Sequence, residues 1–196
     1  MAHSFAILRP VSPTAMTPDQ ARFLLEFLLP QLESEQRISR KIMSAVPPGR
    51  ESYRPDAISK TALDLSLHIA LADIWFLDAV IDGHFGEFTS PPEAVNTCRG
   101  VAEWYAENFA PRIPLLKQLS AEQLATPFVF IGLRNDPAVA YLNIAIRHSV
   151  HHRGQLSAYL RPMGATVPAI YVESADEPFS GENGRDLPPD LRPPAF

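Results

Sequence analysis

Proline constrains this chain more sharply than any other residue. Of its 20 prolines, all but Pro30, Pro127 and Pro137 gather at residues 10–18, 47–55, 91–92, 111–114 and from 162 onward. A proline lacks a backbone N–H and its ring collides with the preceding helical turn, so a helix must start or stop near each cluster. Four stretches long enough to be helices remain between them, at about 17–46, 59–82, 91–119 and 136–161. Thr17-Pro18-Asp19-Gln20 reads as a helix start, and Leu25, Leu28, Leu32, Ile38, Ile42 and Ala45 follow at near-helical spacing. Pro30 is expected to kink this helix. In the second, Leu63, Leu67, Ile74, Leu77 and Ile81 form an apolar stripe and Gly83 supplies a stop. Ser90-Pro91-Pro92-Glu93 has the spacing of a capping box for the third, with a weak point at Pro111 and Pro114.

The run Pro127-Phe128-Val129-Phe130-Ile131-Gly132 has strand composition. It is read here as an apolar linker packed across the bundle. The fourth helix is expected to start at Asp136-Pro137 and to end at Pro162 and Gly164. Four long helices and no credible sheet predict an all-α four-helix bundle, in one domain spanning residues 1–196, with an extended arm over residues 1–10 and an irregular tail from 168 to the end. Bundles of this kind commonly build metal sites from side chains on facing helices.

A formal net charge of −5 argues against a general phosphate-backbone binder, because such affinity needs clustered Lys and Arg. One cysteine, Cys98, excludes an intrachain disulfide framework and a cysteine-based metal site within one chain. The N-terminus lacks the basic start and apolar run of a secretory signal, and the apolar stretches are too interrupted to span a membrane. The expectation is a soluble, cytoplasmic protein with a small-molecule substrate and no nucleic-acid or membrane partner.

The densest chemistry is Arg147-His148-Ser149-Val150-His151-His152-Arg153-Gly154-Gln155, which holds three of six histidines. His148 and His152 are four residues apart, so on a helix they share a face and can reach one divalent ion. They interrupt the stripe of Tyr141, Ile144, Ala145, Gln155 and Tyr159, where an imidazole needs hydrogen bonds or a metal to offset burial. His68, within the apolar second helix, is the leading candidate for a third ligand. An i, i+4 pair by itself is more often two hydrogen-bonded core or surface residues, and that metal-free reading stands beside the metal one. His151 is rotated by about 100° from its neighbour and is expected to face away from the pair.

With Leu156 and the exit Tyr159-Leu160-Arg161-Pro162-Met163-Gly164, and with His68 upstream, this motif resembles the DinB-like superfamily of four-helix metalloproteins. The resemblance runs from the first helix to about Tyr171. It implies a divalent metal, Zn²⁺ or Ni²⁺, on His68, His148 and His152. Members with known activity are similar to transferases and isomerases that use a low-molecular-weight thiol, or are hydrolase-like, so the family implies a metal-dependent enzyme, with a homodimer as a plausible assembly. The alternative is a non-catalytic metal-binding or dimeric interaction module.

Further expectations concern individual residues. Asp64, one turn before His68, is a candidate to orient that ring or else a solvated surface residue. Arg147 and Arg153 suit an anionic substrate, with Arg153 and Gln155 equally suited to tying down a neighbouring helix or the tail. Trp75 and Trp104 are read as core, and Cys98 as unreactive. Glu173 is placed in a tail that could fold back toward the metal.

Overall fold

The computed structural model of the protein describes residues 15–88 and 90–178. The arm expected at residues 1–10 and the tail beyond 178 lie outside the described residues. Helix α1 spans Pro18–Ser44. The Thr17 hydroxyl accepts from the Gln20 N–H at 3.3 Å and the Thr17 N–H donates to the Gln20 side chain at 2.9 Å, a reciprocal box that satisfies two backbone donors. The helix is continuous through Pro30, which is exposed, so the carbonyl it leaves unpaired can face solvent.

Helix α2 spans Ala62–Asp82 and ends at Gly83, whose φ of 74° is the left-handed conformation glycine adopts without strain. It begins three residues later than expected. Asp56 accepts the backbone N–H groups of Ile58 and Ser59 at 2.8 and 2.9 Å, which holds them in a turn, and Thr61 provides the cap by accepting from the Asp64 N–H at 3.1 Å. The third helix also differs from expectation. Residues 91–97 are irregular, with a turn in which the Val95 N–H donates to the Pro92 carbonyl, and α3 spans Cys98–Phe109 with Thr97 as its cap. Pro111 separates α3 from α4, Arg112–Gln118, as that residue's missing N–H requires. A short α5, Ala121–Ala125, follows, capped by Ser120.

The expected linker is instead a hairpin. Strands β1, Pro127–Phe130, and β2, Arg134–Pro137, pair antiparallel with Pro127 opposite Pro137 and Phe130 opposite Arg134. The turn places Ile131 at φ 41° and Gly132 at φ 73°, and Ile131 is strained there because a β-branched side chain crowds the left-handed region. Asp136 pairs with Arg134 at 2.6 Å and does not cap a helix, so α6 starts later than expected and spans Ala140–Leu160. Its entry is fixed by backbone: the N–H groups of Ala138 and Val139 donate to the carbonyls of Thr126 and Leu124. A 3₁₀ turn, Arg161–Met163, and Gly164 at φ 83° close it, where Pro162 and Gly164 were expected to do so.

Helices α1 and α2 each pack against both α3 and α6, which closes an all-α four-helix bundle. Its core is filled by Leu25, Leu32 and Ile42 from α1, Ile69 and Leu77 from α2, Val101 and Tyr105 from α3, and Leu142, Ala145 and Leu156 from α6. Burial of this apolar surface is the main stabilising term. Among the described residues, no helix is long and apolar enough to cross a membrane.

Candidate metal centre

Packing of α2 against α6 brings His68, His148 and His152 together, with one nitrogen of each within 4.8 Å of the others. The Nε2 atoms of His68 and His148 are 3.0 Å apart, and those of His68 and His152 are 3.1 Å apart. All three rings stand edge to face, with centroids 4.4–4.7 Å apart. His68 Nε2 faces two other ring nitrogens and carries either one proton or one lone pair, so a linear protein hydrogen bond can satisfy only one of the two contacts. A cation removes that conflict. Nitrogens bound to one tetrahedral ion at about 2.0–2.1 Å lie roughly 3.3 Å from each other, close to the two separations seen here. The donor set therefore fits a small divalent ion.

One ring is oriented by a partner. His152 donates from Nδ1 to the Gln155 side-chain oxygen at 2.8 Å, which leaves its Nε2 lone pair directed at the other two rings. Asp64 does not perform this service for His68. It is exposed and accepts from the Thr61 hydroxyl at 2.7 Å, at the start of α2. The Nδ1 of His148 is buried without a hydrogen-bond partner among the described residues.

Burial first, and then the neighbouring imidazoles, push His68 and His148 down to about 4. Burial also lowers His152, opposed by its bond to Gln155. Neutral rings are the form that binds metal. These shifts set a pH dependence for the metal-free chain. Below the ordinary histidine value of 6.5 the unfolded chain takes up protons that folded His68 and His148 refuse, so stability falls as pH drops toward 4. Buried Asp73 acts in the opposite sense, since its value is raised to about 7 and its contribution is lost as pH rises through that value. The two histidines outnumber it between about pH 4 and 6.5, and near 7 the opposing effects run out together. Urea midpoints of metal-free protein should therefore rise from about pH 4 to 6.5 and level off above about 7. A midpoint that rises steadily on acidification would contradict the burial assigned to these rings.

His151 is exposed and outside the cluster, as its rotation on the helix predicts. Arg153 proves structural. It is buried, pairs with Glu35 of α1 and donates to the Tyr171 hydroxyl at 2.6 Å, so it ties α6 to α1 and to the tail. Arg147 is exposed. Cys98 is buried beside Ser66, and desolvation raises its thiol to about 11, which leaves it unreactive. Trp104 packs half-buried against the core, and Trp75 lies among Phe76, Phe85, Phe88 and Phe130. Glu173 is exposed and does not join the three histidines.

A buried polar group behind the centre escaped the sequence reading. Asp73 of α2 accepts from the Ser149 hydroxyl at 2.6 Å and from the Tyr105 hydroxyl, joining three helices one residue beyond His148. Desolvation raises its carboxyl, against the pull of those two bonds. The available signal was a lone acid inside Leu71-Ala72-Asp73-Ile74-Trp75, since a carboxyl within an apolar helix must find partners.

The DinB family matches residues 22–184 of the chain. An uncharacterized protein of Bacillus subtilis, YjoA, is 28% identical over 143 residues, covering 71% of this chain and 91% of its own. The crystal structure of YjoA, a DinB-like protein, superposes with a TM-score of 0.59 at 24% identity over 73% of this chain and 96% of YjoA. A DinB-like protein from Bacillus cereus superposes with a TM-score of 0.63 at 23% identity, over 74% of this chain and 97% of its own. At these identities the two structures establish the shared fold.

Proposed function

Because the chain belongs to the DinB family and turns three imidazole nitrogens toward one point, we propose that it is a metal-dependent enzyme in which His68, His148 and His152 hold a divalent ion. The observation that carries this reading is the pair of 3.0 and 3.1 Å contacts around His68 Nε2, which has too few protons to satisfy both. Zn²⁺ and Ni²⁺ both suit neutral imidazole ligands. Three protein ligands leave room at the ion for water or substrate, as open catalytic sites do and closed structural sites do not. An ion there would lower the pKa of a bound thiol or water to near neutrality and polarise a substrate oxygen. The proposed reaction class is group transfer to a low-molecular-weight thiol, or a related hydrolysis.

The protein's own part is orientation. Gln155 fixes the tautomer of His152, and the Asp73–Ser149 bond fixes the rotation of α6 that turns His148 inward. Gln155→Leu, which keeps the size and removes the acceptor, should weaken metal affinity by about 10–100-fold, the usual effect of losing a ligand's hydrogen-bond partner. Competition with a chromophoric chelator measures this. An unchanged affinity would mean that Gln155 does not hold the ring.

Elemental analysis of protein purified without an affinity tag tests the reading as a whole. The expected result is about one divalent ion per chain, or one after reconstitution. Failure to take up stoichiometric metal after reconstitution overturns it. Metal uptake without ligand exchange in a cobalt-substituted sample would favour a purely structural ion.

A further inference from the structure

Charge around the three histidines is unbalanced. Neutral imidazoles bring no charge, and no described Asp or Glu joins the group. The charged side chain whose field reaches both His68 and His152 is Lys60, a cation. A divalent ion held only by these rings would keep its full double charge at a half-buried position, where an uncompensated charge is costly. The exogenous ligand must then supply the missing negative charge.

A cleft of about 380 Å³ lies beside the centre. It is lined by Arg134, Ile144, Arg147, His148 and His151. Four of these share one face of α6 at the i, i+3, i+4, i+7 spacing, and Arg134 comes from β2. His148 is common to the cleft wall and to the histidine cluster. Arg134 is steadied through Nε by Asp136 at 2.6 Å. Arg147, by contrast, makes no hydrogen bond or ion pair with a described residue. An unpaired guanidinium lining a cleft without an acidic wall, in a chain of net charge −5, is a ready receptor for a carboxylate. Ile144 adds an apolar surface for a few methylenes.

We propose that the cleft binds a short carboxylic acid carrying a second donor group, with the carboxylate on Arg147, flanked by Arg134 and His151, and the donor group directed to the histidine centre. The donor half of this proposal rests on the metal reading above. The carboxylate half does not.

Two measurements separate them. In cobalt-substituted full-length protein, 3-mercaptopropionate and 2-mercaptoethanol present the same thiol with and without a carboxylate. The visible bands of the ion should report about tenfold tighter binding of the carboxylate form, the low end for a charge-assisted hydrogen bond in an open cleft. Arg147→Gln should erase that preference while cobalt stoichiometry stays the same. Equal preference in both proteins overturns the proposal. In metal-free protein, the Arg147 side-chain N–H resonance should shift saturably with propionate, and this shift supports the carboxylate site even if cobalt never binds. No saturation overturns it, and saturation with inorganic phosphate alone overturns the assignment to a carboxylate.

Discussion

His68→Ala is expected to lower divalent-metal affinity by more than about 100-fold, since losing a ligand exceeds the 10–100-fold effect of losing a ligand's partner. His68 is the member whose Nε2 lies close to the Nε2 of both others, at 3.0 and 3.1 Å, and its removal leaves only the i, i+4 pair on α6. The stability consequence is conditional. A ligand at about 1,000 times its Kd stabilises the folded state by about 4 kcal/mol, and the variant forfeits that gain. Without metal, His68→Ala removes a ring whose nitrogen opposes two others and should change the melting temperature little. The measurement is a pair of thermal melts, with added Zn²⁺ and with EDTA. A large loss in EDTA would show that the histidines serve as a hydrogen-bonded core, and would count against the metal reading.

Arg153→Met should be the most destabilising single change outside the hydrophobic core, by about 3–5 kcal/mol, because it leaves Glu35 buried without its cation. The Arg153 side chain is 3% exposed and that of Glu35 is 14%, so solvent can rescue little of the lost interaction. Tyr171 loses both its hydrogen bond from Arg153 and the guanidinium 5.5 Å from its ring centroid, which should loosen the segment after Gly164. Chemical denaturation of the single variants and of Glu35→Gln/Arg153→Met forms the test. The double variant should recover much of the loss, giving a coupling energy well above the few tenths of a kcal/mol found between independent sites. Additive losses would mean that the two residues act separately.

His148, His152 and Arg153 stood in one short motif, yet only part of their work could be read there. The spacing of His148 and His152 gave their shared face, because helix geometry is local, and His68 stood out as an imidazole in an apolar helix. What Arg153 touches depends on α1 and the tail, more than a hundred residues away on one side. The same division runs through the fold. The Thr17–Gln20 box and the stops at Gly83 and Gly164 are short-range features and were legible. The hairpin was not, since strand pairing joins Phe128 to Asp136 across a turn that needs a strained Ile131. Thr97 capped the third helix in preference to Ser90, and Asp136 was taken by Arg134. In α2 the apolar stripe was legible only in part, with Ile74 and Leu77 buried as expected. Leu65 and Ile69 are buried while Leu63 and Leu67 are only partly so, because a helix apolar on most sides carries no phase information. That Gln155 holds the His152 ring, and that Asp73 joins Ser149 and Tyr105, became visible only once the helices were placed.

The histidines that meet across α2 and α6 are separated by 80 and 84 residues of chain. That separation bears on when an ion can be taken up. His148 and His152 lie one turn apart and can meet a metal as soon as α6 winds, with the weak grip of two ligands. His68 reaches them only after the chain has closed a long loop, an entropic cost that must be met before the third bond forms. On the proposed metal reading, full-strength loading would be a late event in the life of a newly made chain, and the ion would certify a docked bundle without templating it. In refolding experiments, metal uptake should lag behind the recovery of helical signal.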